Sequence, residues 1–275
     1  MLIHRQANLL QKALFISLKE NVMILDSFDL QSKVAIITGC DTGLGQGMAL
    51  GLAGAGCDIV GVNLTAPTET IEKITALGRK FVDIRANLME LTDIPNIVER
   101  AVAECGHIDI LINNAGIIRR NDAIDFTEKD WDDVMNINIK SVFFMSQAVA
   151  KQFMIQGTGG KIINIASMLS FQGGIRVPSY TASKSGVTGI TRLMANEWAK
   201  HNINVNAIAP GYMATNNTAA LRANASRNQE ILDRIPANRW GLPSDLAGPC
   251  VFLASSASDY INGYTIAVDG GWLAR

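Results

Sequence analysis

Tyr180 and Lys184 stand four residues apart in Ser179-Tyr180-Thr181-Ala182-Ser183-Lys184, a spacing that sets two side chains on one face of a helix. A tyrosine hydroxyl ordinarily gives up its proton near pH ~10, too high for efficient proton transfer at neutral pH. A lysine ammonium held beside it stabilises the phenolate and is expected to lower that value. Ser167 ends an apolar run upstream and is placed to hydrogen-bond a substrate oxygen as charge develops on it. The chemistry these three residue types support is proton transfer at an alcohol or carbonyl oxygen. Tyr-x-x-x-Lys alone arises by chance in many helices, so the weight rests on its company.

That company begins at Thr38-Gly39-Cys40-Asp41-Thr42-Gly43-Leu44-Gly45. Gly39, Gly43 and Gly45 allow a tight turn and close backbone approach, and free N–H groups at the start of a following helix suit a pyrophosphate. The spacing is G-x-x-x-G-x-G, unlike the commoner G-x-G-x-x-G. A ligand-free turn is the alternative, weakened by the motif's position between a strand and a helix in the first β-α unit. The residue that reads an adenosine ribose belongs at the end of the second strand, about 20 residues on, which falls at Asn63, followed by Leu64. Asn63 is expected to accept one hydrogen bond there through its amide oxygen. No Arg or Lys stands at 42, 63 or 64, and the nearest basic residue downstream is Lys73. NAD is therefore expected over NADP. Asn113-Asn114-Ala115-Gly116 suits a turn, and its place after a strand makes it a floor for the cofactor.

Short apolar runs must position these residues. Strands are predicted at Val34–Thr38, Ile59–Val62, Phe81–Arg85, Ile110–Asn113, Lys161–Ala166, Val205–Ala209 and Thr265–Val268. Most are apolar on successive residues, the pattern of strands covered on both faces. Helices are predicted between them, among them Gly45–Leu52, Ile97–Glu104, Trp131–Phe153, Thr181–Ala199 and Leu246–Ala254. The alternation predicts an α/β fold: a single-domain, Rossmann-type, doubly wound parallel sheet of about seven strands with helices on both faces. Ligands bind such sheets beyond the carboxyl ends of the strands, where strand order reverses.

The 275 residues are 48% hydrophobic and 18% charged with a net charge of −1, a balance that suits a large core and gives no footprint for nucleic acid or an anionic membrane. The four cysteines form no C-x-x-C pair and the three histidines stand far apart, so neither a metal site nor a disulfide framework is expected, and a reducing cytoplasm is. Residues 1–22 carry scattered apolar residues but no signal-peptide core. They are expected to lie outside the fold, as a short amphipathic helix or an appended segment, with the domain spanning 23–275. No run approaches the ~20 apolar residues of a membrane span.

With these motifs assembled, residues 28–275 resemble the short-chain dehydrogenase/reductase family. Matching pieces are Thr38–Gly45, Asn113–Gly116, Asn138 within Asn136–Lys140, Ser167, Tyr180 with Lys184, and Pro210-Gly211 with Met213 and Thr215. The resemblance implies a catalytic tetrad of Asn138, Ser167, Tyr180 and Lys184, with Asn138 holding a water in a proton relay. It implies that Lys184 also binds the nicotinamide ribose and that Pro210–Thr215 clamp the carboxamide. It implies a homotetramer joined through the carboxyl end, Trp240–Gly271. Two departures stand out: Asn63 replaces the usual acid, and Asn87, before Leu88, replaces an aspartate near the adenine. The segments Gly39–Met48 and Met168–Pro178 further resemble family members that act on keto-deoxy sugar acids in pectin and hexuronate breakdown. Arg119, Arg120 and Arg176 are candidates for the substrate carboxylate, since guanidinium groups pair with it bidentately; a surface or subunit-interface ion pair is the alternative for each. A carrier-protein 3-oxoacyl reductase, another sugar-alcohol dehydrogenase and a cofactor-sensing regulator stand as alternative functions.

Overall fold

The structure, a computed structural model, describes residues 23–275; segment 1–22, expected outside the fold, lies outside the described residues. Seven parallel strands form one sheet in the order β3-β2-β1-β4-β5-β6-β7. They are β1 Val34–Thr38, β2 Asp58–Asn63, β3 Phe81–Arg85, β4 Ile110–Asn113, β5 Gly160–Ile165, β6 Ile203–Pro210 and β7 Thr265–Val268. The helices are α1 Gly43–Gly54, α2 Thr68–Ala76, α3 Ile94–Cys105, α4 Glu128–Met135, α5 Ser141–Gln156, α6 Pro178–Trp198, α7 Ala219–Ala223, α8 Ala225–Arg234 and α9 Ala247–Ala254.

The continuous apolar runs follow from burial on two sides. Val34 and Ile36 of β1, Val60 and Val62 of β2 and Leu111 of β4 join one core layer, against Ile97 of α3, Val149 and Phe153 of α5 and Met194 of α6. Their alternating neighbours Ala35, Ile37, Ile59, Ile110 and Ile112 join the other, against Met48 and Leu52 of α1 and Leu253 of α9. Each large side chain so buried contributes about 1.5–3 kcal/mol, so a polar residue on either face would be costly. The polar chemistry is displaced to the strand ends.

Strand order reverses between β1 and β4, and side chains tie the two ends together there. The Thr38 hydroxyl accepts the N–H groups of Asn114 and Ala115, each at 2.9 Å. Asn114 Nδ2 donates to the carbonyls of Thr38 at 3.0 Å and Gly39 at 2.7 Å. Gly39 and Gly43 hold φ of +64° and +57°, values open to glycine and strained for other residues. A Cβ on Gly45 would run into the carbonyl of Gly39 and the side chain of Asn114, so the helix can start this close only with glycine there.

The predicted helix Trp131–Phe153 differs in the structure. It begins earlier, at α4, where Thr127 Oγ1 caps the Asp130 N–H at 3.1 Å. A widened π-helical turn at Asn136–Lys140 separates α4 from α5. The extra residue turns Asn138 inward, where it is fully buried and bonded to the backbone of Ile117. Such turns are common at functional sites. Among the described residues no helix is long and apolar enough to cross a membrane.

Candidate active site

The glycine loop leads into α1 without a side-chain cap. The first N–H groups of a helix have no partner within it, and here they face the crevice at the strand-order reversal, so the loop fits a dinucleotide's phosphates. Asn114, Ala115 and Gly116 form the floor beside it. Gly43 faces Thr215 across the crevice, a Cβ there lying 3.6 Å from the threonine methyl. Thr215 borders the crevice beyond β6, Gly211 packs closely on Asp269, and Met213 is buried in the core. Leu88 is likewise a core residue, and Asn87 turns its Oδ1 onto the Met89 N–H at 3.2 Å.

Asn63 departs from expectation. Its Oδ1 already accepts the Cys40 N–H at 2.8 Å, so it holds the glycine loop and has no free oxygen aimed at a ribose. Its Nδ2 is buried without a partner. The surroundings also hold a cation that distance along the chain concealed. Arg85 pairs with Asn63 across the β2–β3 ladder, and its Nη1 lies 3.4 Å from the Leu64 carbonyl. Its Nε is engaged by Asp83 at 2.8 Å.

Beyond β5 the remaining groups converge. Ser167 follows the strand by two residues and its Oγ accepts the Leu169 N–H at 3.1 Å. Tyr180 and Lys184 share one face of α6, with Lys184 Nζ 5.7 Å from the tyrosine ring centroid. Lys184 is 4% exposed and donates to the Ile165 carbonyl at 2.6 Å. Burial pushes its ammonium down to about 8 from the ordinary 10.5. Tyr180 keeps part of its surface open, yet the dense protein around it disfavours the phenolate and holds the hydroxyl above its ordinary value. The groups that pull it back are the Ser167 hydroxyl and the charge of Arg120. Lys184, expected from the four-residue spacing to lower that value, is not among the groups that act on the phenol; its Nζ is spent on the Ile165 carbonyl and burial weakens the ammonium itself.

Asn138 reaches the cluster indirectly. Its Oδ1 accepts the Ile117 N–H at 2.9 Å, and its Nδ2 donates to the Ile117 carbonyl at 2.9 Å and to Ser183 Oγ at 3.2 Å. Ser183 Oγ donates in turn to the Tyr180 carbonyl at 2.9 Å. Ser183 had no mark in the sequence beyond lying between Tyr180 and Lys184.

The three arginines separate clearly. Arg119 meets Asp130 at 3.5 Å and Asp133 at 3.3 Å. Arg176, in a left-handed backbone conformation, meets Asp122 at 3.0 Å, and its carbonyl accepts the Asn121 N–H at 3.1 Å. Those bonds tie the loop after β4 to the loop before α6. Arg120 has no ion-pair partner among the described residues.

The short chain dehydrogenase family profile matches residues 33–226. The chain belongs to the short-chain dehydrogenase family. Relatives of this dehydrogenase include the 2-dehydro-3-deoxy-D-gluconate 5-dehydrogenase of Escherichia coli (strain K12), 78% identical over 92% of this chain and 100% of that protein. The enzyme of the same name from Bacillus subtilis (strain 168) is 50% identical over 91% of this chain and 98% of its own. A gluconate 5-dehydrogenase from Burkholderia cenocepacia J2315, in complex with NADP and tartrate, superposes with a TM-score of 0.87 at 36% identity, covering 92% of this chain and 100% of that one.

The buried lysine of this dehydrogenase gives a pH-dependent stability. Between about pH 8 and 10 the folded Lys184 is neutral while the unfolded one is still charged. The unfolded state then binds more protons, so stability rises with pH across that window, by up to about 1.4 kcal/mol per pH unit for one group. Buried Cys40, Cys57 and Cys250, whose thiols burial pushes up, act in the opposite sense above about pH 9, so the Lys184 contribution is read as a difference between variant and wild type. In urea unfolding from pH 7 to 10, Lys184→Met should be more stable than wild type at pH 7, and that advantage should shrink as pH rises through the window. An advantage that stays constant with pH would deny Lys184 its lowered value.

Proposed function

We propose that this dehydrogenase interconverts 2-dehydro-3-deoxy-D-gluconate and 2,5-diketo-3-deoxygluconate, a secondary alcohol and its ketone, with NAD(H) preferred over NADP(H). A nicotinamide dinucleotide held by Gly39–Gly45 and Asn114–Gly116 would supply hydride transfer at the alcohol or ketone carbon. The protein's part is the proton: Tyr180 takes it from the alcohol oxygen on oxidation and gives it back on reduction. Ser167 hydrogen-bonds the same oxygen as charge develops on it. Lys184 supplies a donor at the nicotinamide ribose and a positive charge beside the phenol. Asn138 holds Ile117 and Ser183 in place; because its side chain is committed to them, a water of the proton relay would rest on its main chain. Gly39–Gly45 cradle the phosphates, Asn114–Gly116 floor the cofactor, Asn87 borders its adenine end, and Pro210, Gly211 and Thr215 clamp the carboxamide.

The observation that carries the substrate assignment is Arg120. Of the three candidate arginines it alone lacks a carboxylate partner among the described residues, and its charge is felt at Tyr180. A substrate carboxylate that leaves water needs such a fixed cation. The identities of 78% and 50% to enzymes named for this sugar acid support the same class. They give no support to an acyl-carrier reductase, and a full Ser167, Tyr180 and Lys184 set argues against a regulator without turnover.

A homotetramer fits the family and the exposed Tyr260 and Tyr264 at the carboxyl end, since such surfaces usually close into symmetric assemblies. Light scattering at micromolar concentration should give four times the 29.6 kDa chain mass, and a monomer mass would reject it. The four free cysteines suit the reducing cytoplasm.

The substrate assignment is tested by kcat/KM for the sugar acid and for a neutral analogue without the carboxylate. A charge-assisted bond to a carboxylate contributes about 1.5–3 kcal/mol, so Arg120→Ala should lower the value for the acid roughly 10- to 150-fold. The neutral analogue should be little affected, and Arg119→Ala and Arg176→Ala should not discriminate. Equal losses on both substrates would make Arg120 a support of the fold and sink the carboxylate role.

A further inference from the structure

We propose that Asp41, in place of Asn63, reads the adenosine ribose, its carboxylate accepting from the ribose hydroxyls and repelling a 2′-phosphate. The inference deepens the NAD preference and rests on the reading of Thr38–Gly45 as the dinucleotide loop.

Three observations carry it. First, the position that should read the ribose is disabled: Asn63 is 2% exposed and its Oδ1 is held by the Cys40 N–H. Second, the acid missing from the end of β2 is present next to it. Asp41 is the loop residue after Cys40, and its Oδ2 accepts the Thr65 hydroxyl at 2.6 Å. Thr65 lies two residues past Asn63, so this bond spans from the glycine loop to the exit of β2, the two segments that flank the ribose in such folds. Third, the carboxylate is both fixed and unspent. Thr70 Oγ1 donates to the Cys40 carbonyl at 2.8 Å and lies 3.3 Å from that of Asp41, anchoring the backbone. Asp41 is only partly buried, Oδ1 has no donor, and no cation pairs with it among the described residues.

An ionised carboxylate accepts and cannot donate, so it suits two ribose hydroxyls and opposes a phosphate in their place. Arg85 gives the idea a second edge. Its guanidinium lies beside the Leu64 carbonyl and is held by Asp83. It is a cation this region offers to a phosphate, and the Asp41 charge works against it.

The experiment is titration of the full-length protein with NADH and with NADPH, followed by nicotinamide fluorescence to give Kd, at one fixed ionic strength. Asp41→Asn keeps the shape and removes the charge. It should weaken NADH and tighten NADPH, lowering the ratio Kd(NADPH)/Kd(NADH) about tenfold or more. Adding Arg85→Ala should reverse the gain in NADPH binding. Asn63→Ala, which releases the Cys40 N–H, should weaken both dinucleotides alike and leave the ratio unchanged. Should Asp41→Asn weaken both equally, or leave the ratio where it was, Asp41 merely supports the loop and the proposal is wrong. A wild-type protein that prefers NADPH while Asp41→Asn still shifts the ratio would overturn the NAD preference and keep the role of Asp41. Binding of neither dinucleotide would remove the loop reading and the proposal together.

Discussion

A lysine ammonium is held inside the protein at the end of β5, and the site is arranged around that burial. Taking such a group out of water is costly unless donors and acceptors replace the solvent. Here the Ile165 carbonyl receives the Nζ at 2.6 Å, and the Ser170 hydroxyl donates to the carbonyl of Lys184 itself at 2.6 Å. The ammonium is weakened to about 8, which leaves it mostly charged at neutral pH and close to titration. Tyr180 is pushed the other way by the same crowding. Two groups whose ordinary values lie near 10 are thereby set apart, the arrangement expected where a proton must be handed over.

The scaffold contributes by leaving polar residues nowhere else to go. Strands buried on both faces carry mostly apolar side chains, and the polar ones near their ends are paired: Thr38 with the Asn114 turn, Asn113 and Asn164 with each other and with helices. Asn113 Nδ2 donates to Ser146 and to Asn164, and Asn164 Nδ2 to Thr191, each at 2.9 Å. These satisfied buried bonds fix the strand ends as a rigid rim. The glycine loop, the Asn114 turn and the Ser167 loop all spring from that rim, which is why residues far apart in sequence meet with so little freedom.

Much of this was legible beforehand. The seven strands stand within a residue or two of their apolar runs, because two-sided burial writes itself as consecutive Val, Ile and Leu. The Tyr180–Lys184 face and the glycine loop were legible because helix spacing and positive φ restrict residue choice. What could not be read depends on which partner a side chain finds in three dimensions. Position along the chain points Asn63 at a ribose, but its oxygen is taken by a backbone N–H 23 residues away in sequence. Arg85 was invisible to a count along the chain because strand register, not sequence distance, sets it beside Asn63. The pairing of Arg119 and Arg176, which singles out Arg120, required the acids of α4 and Asp122 of the loop after β4 to be in place. The π-helical turn at Asn136–Lys140 left no periodicity signal, since one extra residue hardly disturbs an apolar stripe.

The central claim is that Tyr180 carries the proton while the rest of the site binds and orients. The most direct measurement is single-turnover nicotinamide absorbance on Tyr180→Phe at saturating cofactor and sugar acid, with cofactor Kd measured in parallel. The change removes one hydroxyl and leaves the ring, so cofactor affinity should hold. The turnover rate should fall by about 10²–10⁴-fold, the usual contribution of general acid–base catalysis. A variant that binds cofactor normally and keeps more than about a tenth of the wild-type rate, far above what losing such a group permits, would contradict the account.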